Sequence, residues 1–428
     1  MSIKIALLIY GGLAVCSLLL YIPKIRQFFY MNSRTEHKTA TERRKLSLVI
    51  PARGESGVIG DLFNSITKQT YPREFYDINV IVKDCDDPTV EIAQSYGANV
   101  LVVPEQKCKG DVLDGYFKSV IGDKLESYAA FVIVDADAIL TPGYLEEINN
   151  ALEYDCQIVL SRKLIKNFLG GKKQRSIYTK CSALTYAQID DLSNIYRTRK
   201  AIPMNMCGQG MMLRSDVVKF LGGWPYRTLT EDYELRMDCF LKGFTSMYYP
   251  YAVLYTEEPL SRRENYERRM RWVTGFSQCD RKYKKQIRKK AKAYGATTEG
   301  EREYFYSLVP LLAFIVTTAA AMLAGIGLTV FYAVIRDGLW LDSLMLLTVM
   351  PFGIMYLLLA IYSVMCISAM RDAFKSIPLS EKIGTVLYAP FYLLEYFPIF
   401  IISRIKARTE QAWQPIQRIN YESLSESL

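Results

Sequence analysis

The sequence has a single histidine in 428 residues, and none of its nine cysteines forms a Cys-x-x-Cys pair. Zinc chemistry that relies on histidine and hydrolysis by a serine–histidine pair therefore lack the residues they need. Scattered cysteines of this kind are expected to remain free thiols. Acid–base chemistry, if the protein performs any, must use carboxylates, lysines or tyrosines.

The net charge of +9 comes from basic residues that cluster beside apolar segments. Nucleic-acid binding would instead favour basic residues interleaved with exposed aromatics on one domain, so the sequence predicts no nucleic-acid partner. The densest basic run, residues 281–292, precedes an apolar stretch that begins near Leu308. This location suits anionic lipid headgroups, and a solvated helix face is the alternative.

The apolar segments predict a protein of the plasma membrane with several crossings. Residues 3–22 contain only Lys4 as a charged residue, and about 20 apolar residues span a bilayer. A cleaved signal peptide is the alternative, but no small-residue cleavage site follows. The basic segment that comes next predicts a cytoplasmic location for the central part of the chain.

Towards the C-terminus, uncharged residues 308–335 and apolar residues 344–370 predict a transmembrane hairpin. The last apolar stretch, 383–402, contains Pro390, Glu395 and Pro398 and has basic flanks on both sides, which favours a re-entrant or interfacial helix. The predicted organisation is an anchor (1–23), a basic linker (24–45), a catalytic domain (46–280), a basic interfacial segment (281–306), the hairpin (307–371), and the last helix with a cytoplasmic tail (372–428).

The central segment alternates short β-branched runs with helical stretches, which is typical of a parallel α/β sheet. A nucleotide-binding half is therefore expected, and the pattern beyond Leu145 is irregular. The sequence predicts strands at 46–51, 78–82, 100–103 and 129–134, and helices at 58–69, 89–96 and 111–120.

Three polar motifs follow these elements. Glu55 comes directly after the first strand and could accept hydrogen bonds from a base or a ribose. Asp84 follows the second strand, where it could accept the imide proton of uracil, while Asp87 could simply cap the next helix. Lys109 lies beside Gly110 at a helix start and could bind a diphosphate. Ordinary loop and capping roles are the alternatives for all three.

Asp135 and Asp137 form a stronger signal because they end a buried strand. Mg²⁺ and Mn²⁺ prefer oxygen ligands and usually share them between carboxylates and substrate phosphates. A buried strand that presents two carboxylates is costly without a partner. The sequence therefore predicts a divalent metal on Asp137 and Asp135, with Asp135 also able to reach the ribose.

Two further motifs complete the candidate site. Asp232 is the candidate general base, since a carboxylate can remove the proton from an attacking hydroxyl. Arg268, Arg271 and Trp272 lie at helical spacings of three and four, hence on one face. The guanidinium groups could clamp a leaving diphosphate and the indole could face a sugar ring, while a basic interfacial helix is the alternative.

In this order the motifs resemble those of the membrane-integrated family 2 glycosyltransferases, which include cellulose, chitin, hyaluronan and poly-N-acetylglucosamine synthases. The resemblance covers about 46–282 and rests on Pro51-Ala52-x-x-Glu55, Asp84, Lys109-Gly110, Asp135-x-Asp137, Gly208-x-Gly210-Met211, Thr230-Glu231-Asp232 and Arg271-Trp272. It implies a GT-A fold, a Rossmann-like α/β domain with a mostly parallel sheet, together with transmembrane helices.

The resemblance also implies inverting transfer from a UDP-sugar with Mg²⁺ or Mn²⁺, Asp232 as the base, and an acceptor site near Trp272. Arg268 departs from the glutamine of the polymerising synthases and is similar to ceramide glucosyltransferases, as is the Asp84–Pro88 segment. Two activities thus stay open. One is extension of a polysaccharide, in an oligomer or with an accessory export protein, and the other is a single transfer to a membrane lipid. A catalytically dead membrane scaffold is disfavoured because Asp137, Asp232 and Arg271 are all present.

Overall fold

The computed structural model describes residues 24–33, 35–293 and 350–407, together with the single positions 12, 15, 19 and 22. Apart from those single positions, the predicted anchor at 3–22 lies outside the described residues. The predicted apolar span at 308–335 lies outside them as well. Of the predicted span at 344–370, the structure describes a helix over Met350–Ala369.

The centre of the protein is an eight-stranded mixed sheet in the order β3-β2-β1-β4-β7-β6-β8-β5. Strands β3, β2, β1 and β4 are parallel neighbours, as are β6 and β8, whereas β7 runs antiparallel to both β4 and β6. The strands are β1 (Leu46–Pro51), β2 (Tyr76–Val82), β3 (Asn99–Val102), β4 (Ala130–Ile133), β5 (Ile139–Leu140), β6 (Ile158–Ile165), β7 (Met211–Arg214) and β8 (Ser246–Thr256).

Strand β1 shows why the sequence folds into this sheet. Successive side chains of a strand point to opposite faces, so a run that is apolar throughout must be covered on both sides. Leu48 and Ile50 pack into the hydrophobic core on one face of the sheet, and Val49 packs into the core on the other. Both faces are therefore buried under helices, which positions the polar loops at the ends of the strands.

The three predicted helices are confirmed, with ends that differ by at most two residues, whereas the short helix α4 below has no counterpart in the sequence prediction. Between the sixth and seventh helices below, residues Ala187–Asn194 form a π-helix that the sequence did not predict. The helices are α1 (Ile59–Thr67), α2 (Thr89–Ser95), α3 (Lys109–Val120), α4 (Asp123–Glu126), α5 (Tyr144–Ala151), α6 (Ile177–Tyr186), α7 (Ile195–Arg199), α8 (Ser215–Leu221), α9 (Glu231–Lys242), α10 (Arg262–Ala293), α11 (Met350–Ala369), α12 (Leu379–Leu394) and α13 (Tyr396–Lys406).

The C-terminal helices pack against the part of the chain that contains the sheet. Tyr392 of α12 and Met365 of α11 share a hydrophobic cluster with Cys181 of α6, and Ile399 of α13 packs with Val273 of α10. Within the described ranges, one helical segment, Leu379–Lys406, is long and apolar enough to cross a bilayer. The predicted domain boundary between 280 and 281 falls inside the continuous helix α10.

Candidate active site

The sheet brings the predicted motifs to one edge. Because β1, β2 and β4 are parallel, their carboxyl ends meet at the same edge, where open α/β sheets bind ligands. Glu55, Asp84 and the Asp135–Asp137 pair lie in the loops after these three strands. Asp84 is exposed. The antiparallel strand β7 begins at this edge, and it follows directly on Gly210.

Asp87 ties two of these loops together. Its carboxylate accepts hydrogen bonds from the backbone N–H of Gly54, at 2.8 Å, and of Thr89, at 2.9 Å. The second bond satisfies the first N–H of α2, although the N-cap residue of this helix is Pro88 and Asp87 precedes it. The first bond holds the loop after β1 beside the loop after β2, and these two loops contain the base-binding candidates Glu55 and Asp84.

Lys109 joins three motifs that are far apart in the sequence. Its Nζ lies 2.5 Å from Oδ1 of Asp135, 3.8 Å from Oε1 of Glu231 and 3.3 Å from the carbonyl oxygen of Gly208. Burial by itself would lower the pKa of Lys109, but the charges of Asp135 and Glu231 outweigh it and raise the pKa above its ordinary value. The ammonium group therefore stays charged.

The position of Lys109 depends on its neighbour Gly110. A Cβ at Gly110 would lie 1.9 Å from the carbonyl oxygen of Tyr226, so only glycine permits this close approach at the start of α3. The Asp111 carboxylate accepts hydrogen bonds from the N–H groups of Lys107 and Cys108, at 2.8 and 3.0 Å, and caps the helix. These contacts confirm the prediction that the lysine lies at a helix start.

Asp135 and Asp137 provide the oxygen donors that a divalent cation requires. Asp137 is only 3% exposed, whereas the Asp135 side chain is 36% exposed and pairs with Lys109. Within the described residues, no group of three or more acidic, histidine or cysteine side chains is arranged so that it could hold a metal ion by itself. Two carboxylates completed by substrate phosphates and water are a usual Mg²⁺ or Mn²⁺ arrangement, so the donor set fits such an ion.

Asp232, the candidate base, lies in the first turn of α9 and is held from two sides. Its Oδ2 accepts a hydrogen bond of 2.6 Å from the Gly208 N–H, and its Oδ1 accepts one of 2.7 Å from the Tyr233 N–H. Burial raises the pKa of the Asp232 carboxyl, and these bonds and Lys109 offset only part of that rise. A carboxyl with a raised pKa is better suited to accept a proton near neutral pH.

Glu231 is a site residue to which sequence reasoning gave no role, although it lies in the Thr-Glu-Asp motif. Burial raises the pKa of its carboxyl to about 7, against the opposing charge of Lys109. Lys109 therefore lies between two acids, Glu231 and Asp135.

Helix α10 approaches the base through Gly275. A Cβ there would lie 2.4 Å from Oγ1 and 2.8 Å from the backbone nitrogen of Thr230, the residue before α9.

We expect Gly275→Ala to displace the start of α9 and to lower kcat by about 100-fold, because misplacement by about 1 Å has effects of this size. Gly353→Ala is the control, since a Cβ there meets nothing within 4 Å. Steady-state kinetics of the two variants check this, and equal kcat values would contradict it.

The Arg268–Trp272 segment lies on α10, and the structure confirms that its first and last residues share a face. The Arg268 guanidinium lies over the Trp272 ring at 5.3 Å. Arg268 also forms a 3.1 Å salt bridge with Glu258, whose side chain is fully buried. Burial would lower the pKa of Arg268, but the Glu258 charge raises it overall. Part of the Arg268 charge that was expected to clamp a diphosphate is thus neutralised by Glu258. Arg271 is partly exposed on the same helix.

Arg269, which sequence reasoning passed over, is the most enclosed cation of this segment. It is 1% exposed and donates hydrogen bonds to the hydroxyls of Ser182, at 2.8 Å, and Tyr392, at 2.6 Å. Its guanidinium lies 4.5 Å from the Trp272 ring centroid. Arg269 therefore connects α10 to α6 and α12, and the helical spacing that grouped Arg268 with Arg271 and Trp272 gave it no role.

The candidate site thus consists of a contact cluster and a set of flanking residues. Lys109, Asp135, Gly208, Glu231 and Asp232 form the cluster through the contacts above. The charge of Asp137 contributes to the raised pKa of Arg268. Glu55 and Asp84 lie at the same sheet edge in the loops after β1 and β2.

This sheet, with acidic residues at the carboxyl ends of its parallel strands, is the GT-A fold of nucleotide-diphospho-sugar transferases. The mannosyltransferase PcManGT from Pyrobaculum calidifontis, solved in complex with GDP-Man and Mn2+, superposes with a TM-score of 0.53 at 16% identity, covering 94% of this chain and 98% of that one. At this identity the likeness establishes the fold alone.

The chain belongs to glycosyl transferase family group 2, whose pattern matches residues 130–370, and it is a transferase enzyme. The probable glycosyltransferase YdaM of Bacillus subtilis (strain 168) is 22% identical over 281 residues, 60% of this chain and 64% of that protein. The poly-beta-1,6-N-acetyl-D-glucosamine synthase of Staphylococcus aureus (strain MSSA476) is 22% identical over 260 residues. The chain covers 60% of that synthase.

Proposed function

We propose that this protein is a membrane-bound inverting glycosyltransferase that moves a sugar from a UDP-sugar onto a growing polysaccharide. The observation that carries the proposal is the cluster in which Lys109 lies between Asp135 and Glu231, while the Gly208 residue that binds Lys109 through its carbonyl oxygen donates its N–H to Asp232. The contact network supports the proposed roles of Lys109 in donor binding, of Asp135 as a metal ligand and of Asp232 as the base.

The cluster supports a direct displacement. An acceptor hydroxyl attacks the anomeric carbon, its oxygen forms the new glycosidic bond, and the bond from that carbon to the diphosphate oxygen breaks. Asp232 takes the hydroxyl proton as the bond forms. UDP leaves with the electron pair, and Lys109 and Arg271 stabilise its charge. One displacement on the face opposite the leaving group inverts the anomeric configuration.

Asp137 and Asp135 would hold the divalent ion. When bound, Mg²⁺ or Mn²⁺ would neutralise the developing charge on the diphosphate. Mn2+ in the complex of the structurally similar mannosyltransferase supports a metal of this class. In the proposal, Lys109 keeps Asp135 oriented towards the diphosphate, and the burial of Asp137 excludes water from this side of the site.

The donor base is assigned to the corner between the loops after β1 and β2. Asp84 is exposed there and would accept the imide proton of uracil, and Glu55 would bind the ribose or the base. The similar mannosyltransferase was solved with GDP-Man, which supports a nucleoside-diphosphate sugar without fixing the base. The uracil assignment rests on Asp84 and on the resemblance to polysaccharide synthases.

The C-terminal helices support the membrane part of the proposal. Leu379, Ile383, Leu387 and Phe391 recur every four residues on α12 and are 73%, 52%, 53% and 47% exposed. The opposite face of α12 packs on α6 of the catalytic domain, where Lys180 binds Glu381 at 2.8 Å. A helix that lies along a hydrated domain with its other face apolar suits the membrane interface. We place the catalytic domain on the cytoplasmic side of a multi-pass plasma-membrane protein.

A single transfer to a membrane lipid is the second candidate, and one observation favours it. Met270 and Val273, which flank the acceptor candidate Trp272 on α10, pack with Ile399 of α13. Ile401 and Ile405 on that same helix are 51% and 66% exposed. A lipid acceptor could therefore reach Trp272 along an apolar surface, and product size separates a glycolipid from a polymer.

The proposal is tested by nucleotide release from detergent-purified protein across a panel of UDP- and GDP-sugars with Mn²⁺ or Mg²⁺. We expect release with a UDP-sugar and loss of release on chelation. Asp137→Asn should raise the metal concentration for half-maximal release by about 100-fold, because it removes a charged ligand. Asp280→Asn, at a 59% exposed side chain of α10, is the control. Absence of release with every donor and both metals, with and without lipid, would overturn the proposal.

A further inference from the structure

The π-helix Ala187–Asn194 is anchored to the sheet by two buried ion pairs. Asp191 accepts from the Arg162 Nε at 2.9 Å, and Asp190 lies 3.1 Å from the Lys163 Nζ. Arg162 and Lys163 belong to β6, next to the strand that begins at the active-site edge. Such π-helical turns often occur at functional sites. The two ion pairs thus fix the π-helix beside the loop of residues 200–210, which contacts Asp232 through Gly208.

Asn194, the last residue of the π-helix, holds the backbone of that loop. Its side chain is fully buried. Its Oδ1 accepts a hydrogen bond of 2.8 Å from the Asn205 N–H, and its Nδ2 donates one of 3.1 Å to the Asn205 carbonyl oxygen. The Asn205 side chain makes a separate bond of 2.8 Å to Ser193. The Asn194 side chain therefore forms hydrogen bonds with both main-chain polar groups of Asn205.

Three residues further along, the same loop contacts the catalytic cluster. The Gly208 N–H donates to Asp232 and its carbonyl oxygen accepts from Lys109. A Cβ at Gly208 would lie 3.2 Å from both the Lys109 Nζ and the Glu231 Oε1, so this peptide lies among all three side chains. On its other side the Gly210 N–H donates to the Ile133 carbonyl oxygen of β4 at 2.9 Å. Hydrogen bonds therefore hold the loop at Asn205 and at Gly210, and Gly208 lies between these two points.

We propose that Asn194 is a positioning residue for the transfer reaction. By holding Asn205, it keeps the Gly208 N–H aimed at the Asp232 carboxylate, so that the base is oriented and its charged form is stabilised before the acceptor binds. The inference rests on the proposed function, because it assigns Asn194 a role only through Asp232. Asn194 itself touches neither substrate nor metal in this account.

The test compares Asn194→Ala with Asn205→Ala in the full-length protein. Asn194→Ala removes both bonds to the loop backbone, and we expect kcat to fall about 10- to 100-fold while KM for the UDP-sugar stays within about twofold. Asn205→Ala is the matched control, since it loses only the bond to Ser193 and keeps the main-chain groups that Asn194 holds. Its kcat is expected to stay near the wild-type value.

The pH profile separates positioning from a general loss of structure. The Gly208 N–H favours the charged carboxylate, so its loss should raise the pKa of Asp232 and move the acid limb of kcat/KM to higher pH. Among the described residues, the charged or titratable groups around this carboxylate are Glu231 on α9, Lys109 on α3, Asp135 after β4, Cys207 in the loop and Cys279 on α10. They are unchanged in both variants. If Asn194→Ala does not fold, Asn194→Gln, which keeps the amide but displaces it, decides by the same two readouts.

The outcomes also separate this inference from the proposed function. A wild-type protein that releases UDP, together with a folded Asn194 variant of unchanged kcat and pH profile, would overturn the positioning role alone. A wild-type protein that releases no nucleotide would overturn the proposed function, and the role of Asn194 with it. A lowered kcat with a shifted acid limb in the Asn194 variant, absent from Asn205→Ala, would support the inference.

Discussion

Asp232→Asn is expected to lower turnover by about 100- to 10,000-fold, because general-base catalysis contributes effects of this size. The amide oxygen can still accept the hydrogen bond from the Gly208 N–H, although the amide nitrogen cannot accept the one that the Tyr233 N–H donates to the carboxylate. It cannot take the proton of the acceptor hydroxyl. Donor affinity should stay unchanged when it is measured by titration calorimetry with the UDP-sugar.

Asp238→Asn is the matched control for that experiment. It makes the same chemical change on the same helix, at a carboxylate that binds the Tyr226 hydroxyl at 2.9 Å and Lys242 at 2.7 Å rather than the cluster. Its turnover should stay close to that of the wild type. Near-normal turnover of Asp232→Asn would remove Asp232 from the mechanism.

Glu258→Ala is expected to destabilise the protein by about 3–5 kcal/mol, because removing one partner of a buried ion pair leaves the other charge uncompensated. Glu258 is fully buried and pairs with Arg268 at 3.1 Å. It also accepts a hydrogen bond from the Ser182 hydroxyl, which in turn accepts one from Arg269. The Tm measured by thermal unfolding in detergent should fall by about 10 °C.

Glu126→Ala provides the control for an ion pair of similar length. The Glu126–Lys219 bridge is 2.8 Å long, but its side chains are 71% and 67% exposed. Exposed pairs of this kind contribute little, so Tm should stay within about 1 °C of the wild type. Equal Tm values for the Glu258 and Glu126 variants would show that burial does not make the Arg268 pair important.

The first half of the sheet could be predicted because its signals are local. Strand β1 was predicted at 46–51 and is found at Leu46–Pro51, since a short β-branched run bounded by turn residues has few alternatives. Its parallel neighbours carry the same signal, so the edge where Asp84 and Asp135 lie followed from the order of elements. The helix start at Lys109 followed from the adjacent glycine in the same way.

The second half depends on contacts between distant residues, which the sequence does not display. Strand β7 inserts antiparallel between β4 and β6, and its only local signal is the short segment Met211–Arg214. The π-helix has no distinct sequence pattern, because Asp190 and Asp191 also suit an exposed helix face until Arg162 and Lys163 are known to lie beside them.

The charge assignment of the Arg268–Trp272 segment shows the same limit. Helical spacing correctly placed Arg268 and Trp272 on one face. Spacing could not reveal that Glu258, which follows β8, neutralises Arg268, because two consecutive glutamates after a strand are usually solvated. In the proposed mechanism the diphosphate is therefore assigned to Lys109 and Arg271 rather than to Arg268.

The most direct test of the account is to supply membranes that contain the protein with a labelled UDP-sugar, and then to determine the linkage and size of the product. From an α-linked donor, inverting transfer predicts a β-linked product that carries the label, and its formation should be lost in Asp232→Asn. A long chain supports the synthase, and a single glycosylated lipid supports the second candidate. A product with retained anomeric configuration, or label released only as free sugar, would contradict the account.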